Sequence, residues 1–397
     1  MRLPLLPVLI VLAAGILAVA YIYWYGRKCG WFNGLWRALG LWVIPGLASA
    51  AMLAVACSPV KNVSDSELSG FMWVIFSYFS IFIPIFIFVI FCALRQLIGA
   101  FAKTKKLRVI TWLGAGIAGL LFVMMWYGAL FTRYQLDVRE VDVPVKGLPS
   151  EFEGYRIVQI SDIHTGSYGG NPRFLTKLVE KINSLKPDVV LFTGDIVNRH
   201  SAELQPFMEA LSELRAPYGV WSVMGNHDYG EYSSWPSEAD RLADVAHLKE
   251  MQSRMGWQML NNEHTMLRRG NDSIALIGVE NIGDPPFTTY GDLRRAYPTL
   301  NDSVTKILMS HNPAHWVDSI AGKPEANIAL TLAGHTHAMQ IRLFGRSPAA
   351  LRYHTWGGLY PDSLGRYLYV NIGIGEVGFP SRIGATPEIT VITLQKQ

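Results

Sequence analysis

Four long apolar runs occupy the first third of this 397-residue chain and constrain its fold more than any other feature. They cover about residues 3–25, 38–57, 71–94 and 109–131. Each is close to the ~20 residues that an α-helix needs to cross a bilayer. Pro84 lies inside the third run, and membrane helices tolerate proline. Buried helices of a soluble core are the alternative, but four successive runs favour a four-helix transmembrane region over residues 1–132.

Basic residues between these runs predict how the chain is oriented in the membrane. The loops after the first and third runs carry Arg27, Lys28, Arg37, Arg95, Lys103, Lys105, Lys106 and Arg108. The loop between the second and third runs has only Lys61, together with Asp65 and Glu67. Because short basic loops stay in the cytoplasm, we expect a multi-pass protein of the cell (inner) membrane with both termini outside. The C-terminal part would then lie on the periplasmic or extracellular side.

Residues 1–20 also resemble a secretory signal peptide, with Arg2, an apolar stretch and the Ala18-Val19-Ala20 pattern of a cleavage site. Cleavage would leave three spans and place the basic loops outside, against the charge rule. We therefore expect an uncleaved first helix.

The charge balance changes after residue 132. The first 132 residues contain ten Lys or Arg and two acids, which leaves 25 basic against 29 acidic residues in the remainder. This acidic balance argues against a nucleic-acid-binding domain. The cysteines Cys29, Cys57 and Cys92 all lie in or beside the apolar runs, so the C-terminal part has no disulfide and no thiolate metal site.

Residues 133–152 are predicted to form a linker and an edge strand, since "QLDVREVDVPV" alternates in polarity and Pro144 suits a sheet edge. Residues 153–397 begin with the strands "YRIVQISD", "PDVVLFTGD" and "YGVWSVMGNHD", between which helices are predicted at about 172–185 and 203–214. A helix at about 238–255 precedes further short strands, among them "KILMSHNP", "IALTLAGHTH", "IRLF", "YLYVNIG" and "EITVITL". This pattern predicts an α/β domain whose strand ends converge.

Metal-ligand residue types follow five of these strands. They are Asp162, His164, Asp195, Asn226, His227, Asp228, His311, His335 and His337. A single histidine at a strand end is usually an ordinary polar residue, but five such strand ends together indicate a metal centre. Oxygen and imidazole ligands without sulfur suit Mn, Fe, Zn or Mg, and Asp195 is the natural anionic bridge between two divalent ions. Such a pair would supply hydroxide for phosphoester hydrolysis.

The ordered motifs D-x-H, G-D, G-N-H-D, a later H and G-H-x-H resemble those of the calcineurin-like metallophosphoesterase family over about residues 153–395. The opening "GYRIVQISDIHTG" is similar to the bacterial branch of that family, which often has a membrane-anchored N-terminus. The resemblance implies a β-sandwich flanked by helices and a metal-dependent phosphoesterase that binds two divalent metal ions.

The resemblance also implies a role for each motif residue. One metal would be held by Asp162, His164, Asp195 and His337, and the second by Asp195, Asn226, His311 and His335. His227 would contact the phosphate and stabilise charge or protonate the leaving oxygen. Asp228 either orients His227 through its other ring nitrogen or is a turn residue. We expect His335 and His337 to project to one side of an extended segment.

The remaining histidines are predicted to have ordinary roles. They are His200, His247, His264, His315 and His354. His315 lies four residues after His311, but Pro313 between them argues against a helical metal pair. His354, with Arg352 and Tyr353, lines either the substrate pocket or an ordinary surface loop. The segment at 229–237 is either a cover over the site or a loop resting on the membrane.

The sequence thus favours a membrane-anchored dinuclear phosphohydrolase that cleaves a phosphomonoester, a phosphodiester or a lipid-linked (pyro)phosphate. Anchoring near the bilayer favours a lipid substrate. The alternative is a non-catalytic, metal-bearing scaffold or sensor domain coupled to the membrane helices. A transporter is disfavoured because the apolar runs contain no acid or base that would mark an ion path.

Overall fold

The computed structural model describes residues 5–32, 34–58, 63–101, 107–283 and 288–397. The chain divides into two compact units, Met1–Leu130 with Gly378–Ser381, and Phe131–Val377 with Arg382–Gln397. The predictions of membrane orientation and signal-peptide cleavage depend in part on residues outside the described ranges, namely Arg2, Lys61, Lys103, Lys105 and Lys106.

The first unit contains four long helices, each with a stretch long and apolar enough to cross a membrane. They are α1 Leu5–Lys28, α2 Leu35–Cys57, α3 Asp65–Phe101 and α4 Arg108–Leu130. The predicted four-helix transmembrane region is therefore confirmed, and the chain is a membrane protein.

Helix α3 extends well beyond the apolar run from which it was predicted. Ser64 and Glu67 form a reciprocal cap at its start, with the Ser64 N–H donating to Oε2 of Glu67 over 2.9 Å and the Glu67 N–H donating to Oγ of Ser64 over 3.3 Å. The helix then continues for 37 residues, about 55 Å at 1.5 Å per residue. As a result Arg95 lies inside α3, and its assignment to a loop was wrong.

The second unit is built from two six-stranded sheets. Along the chain the strands are β1 Asp137–Val145, β2 Arg156–Ile160, β3 Val189–Phe192, β4 Val220–Ser222, β5 Gln258–Met259, β6 Glu263–Arg269, β7 Asp272–Gly278, β8 Lys306–Met309, β9 Leu330–Ala333, β10 Gly358–Pro361, β11 Tyr367–Val370 and β12 Glu388–Lys396. The helices are α5 Arg173–Ser184, α6 Met208–Ser212, α7 Glu238–Arg254, α8 Leu293–Ala296 and α9 Ala314–Ser319. One sheet has the order β1-β12-β2-β3-β4-β5, and the other β10-β11-β9-β8-β7-β6.

The core of this unit lies on both sides of each sheet, because successive side chains of a strand point to opposite faces. In β3, Val190 and Phe192 pack with the residues of α5 and α7, whereas Val189 and Leu191 pack with residues of the second sheet such as Leu332. All of them are buried. The predicted β-sandwich flanked by helices is therefore confirmed.

Parallel pairing brings the chemically important strand ends together. Strands β2, β3 and β4 run parallel in one sheet, and β7, β8 and β9 run parallel in the other. The carboxyl ends of parallel strands lie at the same edge of a sheet, which is where ligands bind in α/β folds.

Two predicted elements differ in the structure. The predicted strand "IRLF" has only isolated bridges at Ile341 and Leu343, since the backbone just before it turns through the left-handed region. The predicted helix at 203–214 is a 3₁₀ segment, Ser201–Phe207, followed by the short α6. Pro206 lies at this change, and proline lacks the N–H that a continuous helix requires.

Candidate metal centre

The motif residues of five strand ends converge in the second unit. Asp162 and His164 follow β2, Asp195 follows β3, Asn226 follows β4, His311 follows β8, and His335 and His337 follow β9. Their side chains are buried or nearly so. The structure thus brings all seven predicted metal ligands to one place.

Three of them form a first cluster around the end of β2. Nε2 of His337 lies 3.2 Å from Oδ1 of Asp162 and 3.1 Å from Nε2 of His164. Nε2 of His164 is in turn 3.6 Å from Oδ2 of Asp195.

A second cluster adjoins the first through the same carboxylate. Nε2 of His311 lies 3.1 Å from Oδ2 of Asp195 and 3.1 Å from Oδ1 of Asn226. Nδ1 of His335 is 2.9 Å from that amide oxygen and 3.3 Å from Nε2 of His311. Asp195 therefore lies between the two clusters, as a bridging ligand would.

The hydrogen bonds around the clusters indicate which ring nitrogens carry a lone pair. Nδ1 of His164 lies 3.1 Å from the Val197 carbonyl oxygen, and Nδ1 of His311 lies 2.8 Å from that of Thr193. A carbonyl only accepts, so Nδ1 carries a proton in each ring, and in the neutral ring that a metal requires Nε2 presents a lone pair to the centre. These lone pairs face carboxylate oxygens, an amide oxygen and other ring nitrogens. Such a donor set fits divalent cations and contains no sulfur.

The pKa shifts of His311 and Asp162 also indicate that positive charge is favourable in the centre. Burial disfavours a charged His311, but the carboxylate of Asp195 outweighs it and raises the pKa of His311 to about 9. For Asp162, burial is outweighed by His337, which holds the pKa of that carboxyl below its usual range. A cation at the centre is therefore favoured.

Five of the seven predicted ligands have a left-handed backbone. The φ angles are 53° at Asp162, 48° at His164, 61° at Asp195, 71° at His335 and 49° at His337. For a residue with a Cβ this conformation costs roughly 1–2 kcal/mol, and such strain concentrates at functional sites. The expectation that His335 and His337 lie on an extended segment was therefore wrong, because a left-handed turn aims them.

Two glycines make room for these turns. A Cβ on Gly334 would lie 1.9 Å from Oγ of Ser161 and 2.3 Å from Oδ2 of Asp162. A Cβ on Gly225 would lie 2.2 Å from Oδ1 of Asp195. The glycines of G-H-x-H and G-N-H-D are thus required by close packing against Ser161 and the predicted ligands Asp162 and Asp195.

His227 lies beside the first cluster, where it could join His164 and Asp195 around an ion. Its backbone N–H donates to Oδ1 of Asp195 over 2.8 Å, and its Nδ1 lies 2.7 Å from the Asn198 carbonyl oxygen. Burial lowers the pKa of the His227 ring, although Asp195 opposes the shift. With Nδ1 held by a carbonyl, Nε2 is the nitrogen available to a substrate.

The side chain of Asp228 bonds the backbone of two turns, which favours the role of a turn residue over that of orienting His227. Its Oδ2 accepts from the N–H groups of Asp195 and Gly225, each over 2.9 Å, and its Oδ1 accepts from those of Ile196 over 2.9 Å and Val197 over 3.3 Å. The carboxylate therefore ties the turn after β3 to the turn after β4.

Two tyrosines that the motifs do not include also contact the ligands. The ring of Tyr232 stacks on His227 with centroids 4.0 Å apart, and its hydroxyl accepts from Nδ2 of Asn226 over 2.9 Å. The hydroxyl of Tyr353 lies 3.1 Å from Nε2 of His335. The only sequence signal was their position in loops that follow G-N-H-D and G-H-x-H.

Several of the other histidines have local partners. Nδ1 of His315 lies 2.8 Å from Oγ of Ser310, Nδ1 of His264 lies 2.6 Å from the Ala296 carbonyl oxygen, and His354 is exposed. These positions agree with the ordinary roles expected for them.

Comparison with known proteins agrees with this geometry. A family model described as calcineurin-like phosphoesterase matches residues 155–339. A transmembrane protein with metallophosphoesterase domain from Bos taurus is 31% identical over 308 residues, 75% of this chain and 65% of its own length. The uncharacterized metallophosphoesterase YkuE of Bacillus subtilis is 30% identical over 295 residues, 71% of this chain and 94% of its own. A Chlamydia trachomatis protein named UDP-2,3-diacylglucosamine pyrophosphatase is 30% identical over 278 residues, 57% of this chain and 81% of its own.

The chain belongs to the calcineurin-like phosphoesterase family, whose members are hydrolases acting on phosphoester bonds. It spans 65% and 64% of the length of the Bos taurus and Danio rerio transmembrane relatives that it matches.

Proposed function

We propose that this chain is a membrane-anchored, dinuclear metal-dependent phosphohydrolase of the bacterial branch of its family. The observation that supports it most is that ring nitrogens and carboxylate oxygens converge on both sides of Asp195. A metal ion would accept the lone pairs that these atoms direct at one another. The alignment covers 94% of the Bacillus subtilis relative but 65% of the Bos taurus one, which supports the bacterial assignment.

The two clusters suggest how the metals are divided. The first ion would be held by Asp162, His164, Asp195 and His337, and the second by Asp195, Asn226, His311 and His335. Mn, Fe, Zn and Mg all suit these ligands. When bound, such a pair activates water as a nucleophile and offsets the negative charge of the phosphoryl group.

The chain's own residues then position the substrate and a proton. Asn198 fixes Nδ1 of His227, so that a second proton on the ring is held at Nε2. From there it can stabilise phosphoryl charge or pass to the leaving oxygen. Tyr232 packs flat against the same ring and restrains its rotation.

The substrate class we favour is a lipid-linked phosphate or pyrophosphate, with soluble phosphomonoesters and phosphodiesters as the other candidates. The anchoring helices and the name of the Chlamydia trachomatis relative support a lipid substrate. The basic residues near the helix ends support a catalytic domain on the periplasmic or extracellular side.

Hydrolysis assays test the proposal. Detergent-solubilised full-length protein with Mn or Zn should hydrolyse p-nitrophenyl phosphate, bis-p-nitrophenyl phosphate or a lipid-linked pyrophosphate, and Asp195→Asn should abolish the activity. Asp302→Asn serves as a control, since Asp302 bonds Tyr297 and Thr299 rather than the metal ligands. No wild-type activity with any metal, or full activity of Asp195→Asn, would favour a non-catalytic scaffold or sensor.

The side of the membrane needs a separate measurement. Fusions of alkaline phosphatase and of a fluorescent protein to the C-terminus report opposite sides. An active phosphatase fusion with a dark fluorescent fusion is expected, and the reverse pattern would place the domain in the cytoplasm.

A further inference from the structure

A basic cavity lies at one end of the four-helix unit, away from the metal ligands in sequence. It has a volume of about 590 Å³ and is bounded by parts of α1, α3 and α4 and by the segment after α1. Its charged lining residues are Lys28, Arg95 and Arg108, and its aromatic ones are Trp31, Phe88 and Trp112.

Arg95 is held inward in this cavity rather than extended from a loop. Its Nη1 donates to the hydroxyl of Tyr25 over 2.6 Å and to Oγ1 of Thr111 over 3.2 Å. Both hydroxyl-bearing residues are buried, with exposures of 3% and 5%. The guanidinium is therefore fixed by neutral partners, which orient its charge without cancelling it.

Acids that could offset this charge are far away within the same unit. The first 132 residues contain only Asp65 and Glu67, and both lie in the first turn of α3. Glu67 is 28 residues before Arg95 on one helix, about 42 Å at 1.5 Å per residue. Cations inside a membrane bundle normally have a counter-charge, so an anion from outside the unit would stabilise this end of it.

The walls of the cavity indicate what kind of anion fits. Trp112 is 74% exposed and Trp31 is 37% exposed, and indole rings favour the boundary between headgroups and hydrocarbon. Lys28 ends α1 and Arg108 begins α4, so the charges lie at helix ends beside an apolar wall. A ligand that fits both the basic helix ends and the apolar wall carries negative charge at one end and hydrocarbon at the other.

We propose that this cavity binds the headgroup of an anionic glycerophospholipid, with Lys28, Arg95 and Arg108 contacting its phosphate and the aromatic residues packing against its acyl chains. Basic pockets between transmembrane helices are a recurring way of recognising anionic lipids. The site is separate from the proposed metal centre and does not depend on hydrolysis.

Lipid preference of the purified full-length protein tests the site. Native mass spectrometry would compare phosphatidylglycerol with phosphatidylcholine of the same acyl chains at equal concentration. The wild type should prefer phosphatidylglycerol, and Lys28→Gln with Arg108→Gln should reduce that preference by about 30-fold, which corresponds to about 1 kcal/mol for each charge. Arg95 is left unchanged because it also bonds Tyr25 and Thr111.

A double variant with the same change in net charge provides the control. Arg27 and Arg37 are exposed and do not line the cavity. Arg27→Gln with Arg37→Gln should therefore keep the preference, as should Asp195→Asn at the proposed metal centre. An equal loss in this control would show a general surface-charge effect and overturn the site. A wild type without preference, or displacement of the lipid by an equal concentration of inorganic phosphate, would also overturn it.

Discussion

The carboxylate of Asp228 should determine whether the metal centre forms at all. It accepts four backbone N–H groups, those of Asp195, Ile196, Val197 and Gly225. In Asp228→Asn one oxygen becomes an NH₂ group, which cannot accept and would face two N–H donors. The variant keeps the size of the side chain and changes only its hydrogen bonding.

The expected magnitude follows from those two lost bonds. A buried donor left without an acceptor costs about 1–3 kcal/mol, so the free energy of unfolding should fall by about 2–6 kcal/mol. For a domain of this size the lower value corresponds to a drop of at least about 4 °C in the melting midpoint. The affected amides flank Asp195 and Asn226, so the protein should also lose bound metal.

Thermal denaturation of the detergent-solubilised protein and elemental analysis of bound metal measure these effects together. Asp302→Asn is the matched control, because its carboxylate also accepts a backbone N–H, that of Val304 at 3.0 Å, but lies outside the centre. It should lower the midpoint and keep the metal. If Asp228→Asn retained the wild-type midpoint and its metal while losing turnover, Asp228 would instead act through the ring of His227, and the structural reasoning would be refuted.

Two further changes test other parts of the centre, and a third tests a buried histidine outside it. Gly334→Ala places a Cβ 1.9 Å from Oγ of Ser161, so elemental analysis should find the metal of the first cluster lost, and full occupancy would contradict the packing. Tyr232→Phe removes the hydroxyl that accepts from Asn226 but keeps the ring, so metal titration should find the second ion bound about 2- to 10-fold more weakly. Unchanged affinity for that ion would show that the Tyr232 hydroxyl does not support the second ion. Burial lowers the pKa of His315 to about 4 from the usual 6.5, so the unfolded chain takes up this proton more readily and stability falls as the pH drops from 6.5 to 4. In EDTA, His315→Phe should lack that part of the pH dependence, up to about 3 kcal/mol, and identical pH curves for the two proteins would contradict it.

The sequence predicted that the seven proposed ligands lie together because each belongs to a short motif that follows a strand. Residues such as Asp195 and His311 follow apolar runs, and parallel pairing alone is enough to bring those ends together. The transmembrane helices were predictable for a similar reason, since their length and composition are local properties.

Features that depend on tertiary contacts were not predictable in this way. The left-handed backbone at His335 and His337 is a conformation that local sequence preference disfavours and that concentrates at functional sites. The contact of Tyr232 with Asn226 and that of Tyr353 with His335 join side chains through loop conformations that no spacing encodes. The place of Arg95 inside α3 could not be read from a hydropathy pattern that ends before it.

The position of β12 has a consequence for how the polypeptide assembles as it is made. This last strand lies between β1 and β2, pairing parallel with the first and antiparallel with the second. During translation, β1 leaves the ribosome more than two hundred residues before its neighbour does, and its backbone groups must wait unpaired in the meantime. Completion of this sheet therefore comes long after β1 is made, and deleting residues 388–396 would leave the first strand without its neighbour in the sheet.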